Sequence, residues 1–176
     1  PVGQDQLPHL ELAREVVRRM NHLYGPVFPE PQALLAEFPL VLGPDNRKMS
    51  KSYGNALTLG MGDEEIDRMV MSMITDPQRV RRDIPGRPEV CNVCQLQRSF
   101  GDDYDELWEG ERTARTGCVD MKKLLTERII RHYAAARERY AELMADPRRV
   151  DGILEAGADR LRPRVEATMA EVHAKM

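Results

Sequence analysis

The amino-terminal part of the chain carries an apolar residue at every third or fourth position, with charged residues between them. The apolar positions are Leu7, Leu10, Ala13, Val17, Met20 and Tyr24. This spacing puts them on one face of an α-helix. Pro8 stands in the first turn and Gly25-Pro26 follows the last one, which are the usual start and stop signals of a helix. The pattern predicts an amphipathic helix over residues 7–24.

The same period returns further along the chain. A helix is predicted from Asp63, with acidic residues at its positive amino end and one shared apolar face. That face consists of Ile66, Met69, Val70, Met73 and Ile74. From Gly117 onward two longer stripes predict two long helices, divided at Asp146-Pro147, where Asp146 suits a cap and Pro147 a first turn. The first stripe is Cys118, Met121, Leu125, Ile129, Tyr133, Ala136, Tyr140 and Leu143, and the second is Val150, Ile153, Leu154, Leu161, Val165, Thr168 and Val172.

Two shorter segments complete the predicted elements. Phe38 to Leu42 is an apolar run that suits a buried parallel strand, although five residues do not separate a strand from a helix. Phe100 to Glu111 is acidic, and its Leu107 and Trp108 are expected to anchor a short helix to the core. The fold class predicted from these patterns is mainly α, ending in a helical bundle.

Composition narrows the class of protein. The chain has 176 residues, of which 41% are hydrophobic, enough for a buried core. Its net charge of -3 is unlike a general nucleic-acid coat, which needs a basic surface. Three cysteines do not make the disulfide framework of a secreted domain, and no apolar run is long enough to span a membrane. We expect a cytoplasmic protein, and because the sequence opens on Pro1 we also expect an upstream part.

The loop Lys48-Met49-Ser50-Lys51-Ser52 is the strongest candidate for chemistry. Glycine and proline precede it at Gly43-Pro44, and a further glycine follows at Gly54. Two ammonium groups three residues apart, with hydroxyls and backbone amides beside them, suit a polyanion such as a triphosphate. The ordinary alternative for a lysine pair is a solvated loop. The chain lacks the glycine-rich string of a P-loop protein.

A second candidate is the turn Gly3-Gln4-Asp5-Gln6, directly before the first helix. Backbone amides, a carboxylate and two side-chain amides surround one small space there. The alternative is that Asp5 merely caps the helix.

These motifs together resemble a known family. The string from Pro1 to Arg14, followed by the loop from Lys48 to Ser52, is similar to the second half of the bacterial tryptophanyl-tRNA synthetases, which are class I aminoacyl-tRNA synthetases. The resemblance also covers Thr75-Asp76-Pro77 and Gly117 to Asp120. Tyrosyl-tRNA synthetases are the nearest relatives, but their turn usually reads Gly-Gly-Ser-Asp-Gln.

The resemblance implies a fold and a set of roles. Residues 1–60 would be the carboxyl-terminal remnant of a Rossmann-like α/β nucleotide-binding domain, and 61–176 an α-helical anticodon-binding domain. Lys48 and Lys51 would be catalytic. ATP, carried with Mg²⁺, would be bound by Gly3, Gln4, Asp5, Lys48, Met49, Ser50, Lys51 and Ser52. Gln6 would bind L-tryptophan, tRNA-Trp would be the acceptor, and the intact protein would be a homodimer with no membrane contact.

Two features depart from the family pattern. The other class I signature, His-x-Gly-His, does not occur, so the chain looks like a carboxyl-terminal half that is expected to be inactive alone. Some members also hold an iron–sulfur cluster on four cysteines. Cys91 and Cys118 match two of those positions, but Glu111 and Met121 occupy the others. A cluster needs four good ligands, so we expect no metal, although Cys91-x2-Cys94 has the spacing of a metal site.

Two alternative functions remain open on the sequence, and so does the role of one arginine cluster. One is a non-catalytic, RNA-binding paralogue that has discarded its first half, and the other is a tyrosyl-type synthetase. The arginines Arg79, Arg81, Arg82 and Arg87 suit either a solvated face or contacts to tRNA phosphates.

Overall fold

The computed structural model describes residues 1–35 and 41–176, and in them the chain is mainly α, as the periodicity predicts. The helices are α1 Leu7–Tyr24, α2 Asp63–Ser72, α3 Asn92–Gln97, α4 Tyr104–Arg112, α5 Cys118–His132, α6 Ala134–Ala145 and α7 Pro147–Lys175. Two 3₁₀ turns cover Gln4–Gln6 and Lys51–Tyr53. The β-pairing in the described residues is limited to two isolated bridges, Val2 with Leu35 and Leu42 with Lys48.

Local sequence explains where several helices begin and end. Pro8 lies in the first turn of α1, and Gly25 ends that helix with a φ of 82°, which favours glycine. Asp63, Glu64 and Glu65 occupy the first turn of α2, where the helix dipole favours acidic side chains. Pro147 opens α7. The predicted α1, α2 and α4 are confirmed.

The chain divides into two compact units. One contains Pro1–Leu40 and Leu143–Met176, and the other contains Val41–Glu142. Since α6 crosses the boundary, only its first nine residues belong to the second unit. None of the described helices is both long enough and apolar enough to cross a membrane.

The unit Val41–Glu142 is built around α5, which packs against α2 and α3, while α3 also packs against α4. Its buried apolar residues are Ile66, Val70, Met73, Cys91, Val93, Cys94, Leu96, Met121, Leu125 and Ile129. Leu107 and Trp108 of α4 pack against this core, as predicted. The buried Gln97 donates to the Met121 carbonyl at 2.9 Å and accepts from Arg128 at 3.0 Å, which fixes α3 on α5.

Two details of the helix prediction are wrong. The long helix predicted from Gly117 is divided at Tyr133, whose φ of -96° and ψ of 7° leave the helical region, and apolar periodicity does not register one such residue. Ile74 does not share the buried face of α2. The helix ends at Ser72, Met73 turns to a ψ of 136°, and Ile74 lies 44% exposed. The strand predicted over 38–42 lies largely outside the described residues.

The unit that contains α1 and α7 has few buried side chains among its described residues. Except for the exposed Ala13, the predicted apolar stripe is partly buried in α1. In α7 Val172 is buried and most of the predicted stripe is exposed. Asn21 closes the segment after α1. Its Nδ2 donates to the Phe28 carbonyl at 2.8 Å, and its Oδ1 accepts from the amides of Val27 and Phe28 at 2.9 and 3.0 Å.

Candidate active site

The lysine loop is attached to a tight turn. The Asn46 amide donates to the Gly43 carbonyl at 3.1 Å, and the Gly43 amide donates to the Arg47 carbonyl at 2.7 Å. Asn46 has a φ of 57°, a conformation that asparagine tolerates better than most residues. The Met49 amide then bonds the Val41 carbonyl at 3.0 Å, so the chain enters and leaves the turn side by side. The first half of the lysine loop is therefore held by backbone hydrogen bonds.

The second half of the lysine loop is a single 3₁₀ turn, Lys51–Tyr53. Gly54 ends it with a φ of 66°, and its amide bonds the Lys51 carbonyl at 3.2 Å. The hydroxyls of Ser50 and Ser52 lie 2.8 Å apart. Lys48 and Lys51 are exposed, so both ammonium groups are presented on a structured backbone rather than buried in it.

A buried asparagine lies beneath the loop, and the sequence reasoning missed it. Asn55 is 5% exposed and bonds backbone on both sides of Met49, through the Lys48 carbonyl and the Ser50 amide. No local pattern in the sequence marks Asn55, because its role comes from the Lys48 and Ser50 backbone groups that fold around it. Asn92, also missed, donates from α3 to the Gly43 carbonyl at 2.9 Å.

Met49 is partly buried and packs against the core of its unit. It borders an apolar cavity of about 410 Å³ together with Leu57, Ile66 and Ile129. Met49 therefore contributes packing at the base of the lysine loop.

The other candidate turn belongs to the unit that contains α1. Gln4–Gln6 form one 3₁₀ turn, closed by the Gln6 amide on the Gly3 carbonyl at 2.9 Å. The Gln6 side chain donates to the Asp5 carboxylate at 2.9 Å, and both side chains are exposed. The residue at the cap position of α1 is Gln6 rather than Asp5, and the Gln6 side chain makes no cap hydrogen bond. The predicted residues thus form two groups, Gly3–Gln6 in one unit and Lys48–Ser52 in the other.

The arginine segment separates into two kinds of residue. Arg79 is 8% exposed and donates to the carbonyls of Arg82 and Thr116 at 2.9 and 2.8 Å, so it holds a loop against the start of α5. Arg87 pairs with the buried Asp76. Arg81 and Arg82 remain exposed, each in an ion pair with a surface carboxylate. Arg79 and Arg87 therefore have structural roles.

The cysteines lie together with Glu111 in the same core. Cys91, Cys94 and Glu111 are almost fully buried, and Cys118 is partly exposed. Burial and the neighbouring Glu111 charge raise the pKa of the Cys91 thiol to about 12 and raise that of Cys94 as well. Thiolates are the form that binds a cluster, and Met121 and Glu111 supply a thioether and a carboxylate instead. In the part of the chain that the structure describes, no three His, Cys, Asp or Glu side chains are arranged to hold a metal ion. These residues do not fit a four-thiolate cluster.

Comparisons with known proteins give a consistent result. A family model described as tRNA synthetases class I (W and Y) matches residues 1–134. The tryptophan–tRNA ligase of Thermotoga maritima is 44% identical over the whole chain, which covers 55% of that protein. The tryptophan–tRNA ligase of Aquifex aeolicus is 43% identical, with 45% of it covered. The chain spans about half the length of the curated relatives it matches.

Solved structures agree. The tryptophanyl-tRNA synthetase of Campylobacter jejuni, complexed with ADP and tryptophan, superposes with a TM-score of 0.77 at 30% identity, covering 99% of this chain and 55% of that one. A tyrosyl-tRNA synthetase from Aeropyrum pernix has a TM-score of 0.58 at 18% identity, covering 98% of this chain and 46% of that one, a likeness of fold alone.

Proposed function

The chain belongs to the class I tRNA synthetases of the W and Y type, and from that premise we propose that it is part of a tryptophan–tRNA ligase. Such an enzyme joins L-tryptophan to ATP and then transfers it to tRNA-Trp. Tryptophan is favoured over tyrosine because two curated relatives that match the whole chain at 44% and 43% identity are tryptophan–tRNA ligases.

The observation that carries the proposal is the exposure of Lys48 and Lys51 on a hydrogen-bonded loop. In the first step the tryptophan carboxylate attacks the α-phosphorus of ATP, a bond to that phosphorus forms, and the bond to pyrophosphate breaks. Negative charge grows on the leaving pyrophosphate, and two ammonium groups held near it stabilise the transition state. A general base is not required, because the attacking carboxylate is already ionised at neutral pH.

The remaining nucleotide contacts are assigned to the turn before α1. Gly3, Gln4 and Asp5 would bind the nucleoside, with the Asp5 carboxylate accepting from ribose hydroxyls. Gln6 would bind the polar end of tryptophan. Ser50 and Ser52 would add hydroxyl contacts to the phosphates, and Met49 would support the loop from below. Mg²⁺ would enter with ATP and neutralise phosphate charge there.

The wider organisation follows the same proposal. Residues 1–60 would complete a nucleotide-binding domain, and 61–176 would form the anticodon-binding part. The exposed Arg81 and Arg82 are the members of the arginine segment suited to tRNA phosphates. The intact protein would act as a homodimer in the cytoplasm.

The decisive test is pyrophosphate exchange into ATP by the intact gene product, with tryptophan and tyrosine compared as substrates. Exchange that depends on tryptophan, followed by charging of tRNA-Trp, supports the proposal. Exchange that depends on tyrosine would instead indicate a tyrosyl-type enzyme. Binding of tRNA-Trp without any exchange would indicate a non-catalytic, RNA-binding protein.

A further inference from the structure

The side chain of Asn55 engages both of its donor hydrogens and its acceptor oxygen beneath the lysine loop. Its Nδ2 donates to Asp45 Oδ1 at 2.9 Å and to the Lys48 carbonyl at 3.2 Å. Its Oδ1 accepts from the Ser50 amide at 2.8 Å. A primary amide has two donor hydrogens and one acceptor oxygen, and all three groups are engaged here.

These contacts fix the backbone from which the lysines project. The Lys48 carbonyl and the Ser50 amide flank Met49, and Lys51 is the next residue, at the start of the 3₁₀ turn. A displacement of this backbone would move both ammonium groups together. We propose that Asn55 is a positioning residue of the adenylation site, which sets where Lys48 and Lys51 meet the triphosphate. The inference rests on the proposed function.

The position suits an asparagine and disfavours its relatives. An aspartate would keep the acceptor for Ser50, but it would lose both donors and place a second carboxylate against Asp45. The hydrogen bond from Asn55 is the main cause that lowers the pKa of Asp45, so Asp45 is held as the anion there. An alanine would leave the Lys48 carbonyl and the Ser50 amide without these partners.

The position of Asn55 is connected to the helical core through Gly43. A Cβ on Gly43 would lie 2.7 Å from Asn55 Nδ2 and equally close to the Asn55 carbonyl oxygen, so only glycine leaves room for this amide. The Gly43 carbonyl accepts a hydrogen bond from the buried Asn92 side chain at 2.9 Å, and the same side chain donates to the Leu42 carbonyl at 3.2 Å. Asn92 is the first residue of α3. The amides of Asn92 and Asn55 therefore connect the lysine loop to α3 through one glycine.

The first measurement needs no nucleotide. In the 176-residue chain, amide hydrogen exchange of Ser50 is followed by NMR for the wild type and for Asn55→Ala. We expect the wild-type Ser50 amide to be protected and the variant to exchange at least about tenfold faster. The control is Asn21→Ala, which also removes three side-chain hydrogen bonds from a loop. It should leave the Ser50 amide unchanged.

The second measurement uses single-turnover kinetics of the intact gene product. Asn55→Ala should slow tryptophanyl-adenylate formation by up to about a hundredfold, the effect of misplacing a catalytic group by about 1 Å, and should leave the tryptophan dissociation constant unchanged. Asn21→Ala should keep the wild-type rate to within about threefold.

The outcomes separate this inference from the proposed function. If Asn55→Ala frees the Ser50 amide but keeps the adenylation rate, Asn55 does not position the lysines and only the inference fails. A Ser50 amide that exchanges equally in wild type and variant also overturns it. If the wild-type gene product forms no tryptophanyl-adenylate, the proposed function fails, and the catalytic role of Asn55 fails with it.

Discussion

Arg87 donates two hydrogen bonds to the Asp76 carboxylate, from Nη2 to Oδ1 at 2.6 Å and from Nε to Oδ2 at 3.1 Å. The backbone amides of Gln78 and Arg87 donate to the same carboxylate at 2.9 and 3.0 Å. The Asp76 side chain is 1% exposed, whereas that of Arg87 is 40% exposed. The buried Asp76 carboxylate thus holds the loop between α2 and α3 by four hydrogen bonds.

The stability contributed by Asp76 should depend on acid pH. Arg87 is the main cause that lowers the pKa of Asp76 to about 2, below the ordinary 3.8. A lowered native pKa means that the contribution is complete above about pH 4 and is lost as the pH falls toward 2. Urea unfolding of wild type and Asp76→Asn should show a gap of about 3 kcal/mol at pH 7, the low end for breaking a buried pair. The gap should close at acid pH.

The matched control is Asp83→Asn. Asp83 pairs with Arg81, but both side chains are about 70% exposed, so this change should cost less than about 1 kcal/mol. Equal losses for the two variants at neutral pH would contradict the assignment of Asp76 as a structural anion.

Lys51→Ala should slow adenylate formation far more than it weakens tryptophan binding. In the proposed reaction the Lys51 ammonium would meet its full partner charge only as the bond to pyrophosphate breaks, so its energy would belong to the transition state. Loss of one such donor costs about 2.7–4 kcal/mol, or about a hundred- to a thousandfold in rate. Single-turnover kinetics of the intact gene product measures it, with the exposed Lys123→Ala as control. A rate for Lys51→Ala within about threefold of wild type would remove the basis of the site assignment.

Asp5→Ala should give a different kinetic pattern. In the proposed site Asp5 would bind ribose both before and during the reaction, so removing its carboxylate should raise the Michaelis constant for ATP as well as lower the rate. Titration of ATP in the exchange assay separates the two effects. An unchanged Michaelis constant for ATP would place Asp5 outside the nucleotide contacts.

Gly43→Ala should destabilise the lysine loop, because the added Cβ meets the Asn55 amide at 2.7 Å. Gly152→Ala tests the same change inside α7, where an added Cβ meets nothing within 4 Å. It should stabilise the protein by about 0.5–1 kcal/mol through helix propensity. Denaturant unfolding of both variants is the measurement. A neutral Gly43→Ala would show that Asn55 moves aside readily.

The purified protein should be colourless and free of iron. The thiols of Cys91 and Cys94 are buried beside Glu111, and Met121 fills a cluster position with a thioether. Visible absorption together with about four iron atoms per chain would show that these residues bind a cluster after all. Iron analysis after anaerobic purification measures this directly.

The sequence was sufficient wherever one periodic signal coincided with a start or stop residue. The span of α1 follows from its apolar period with Pro8 and Gly25, and the start of α2 follows from the acidic turn at Asp63. The sequence was insufficient where a single backbone angle determines the end of a helix. The break at Tyr133 and the turn at Met73 depend on one residue's ψ, to which side-chain periodicity is insensitive.

The candidate site shows the same division. Lys48 and Lys51 could be singled out because their spacing and hydroxyl neighbours have a chemical meaning. Asn55 and Asn92 could not, because a buried amide gains its role from backbone groups that fold around it. Arg79 and Arg87 stood in one basic run with Arg81 and Arg82, and only contacts distant in sequence separate the structural pair from the exposed pair.

The buried thiols of Cys91, at the cap position of α3, and of Cys94, within α3, can report the opening of this core. With its pKa near 12, Cys91 is almost entirely protonated at pH 8, and it is shielded from reagents as long as α3 stays packed. Cys118, being partly exposed, is open to alkylation in the native protein. Alkylation should therefore occur in two phases, first at Cys118 and then at Cys91 and Cys94 at the pace of local unfolding. The slow phase would report the kinetic stability of the segment that carries Asn92, without any label being introduced.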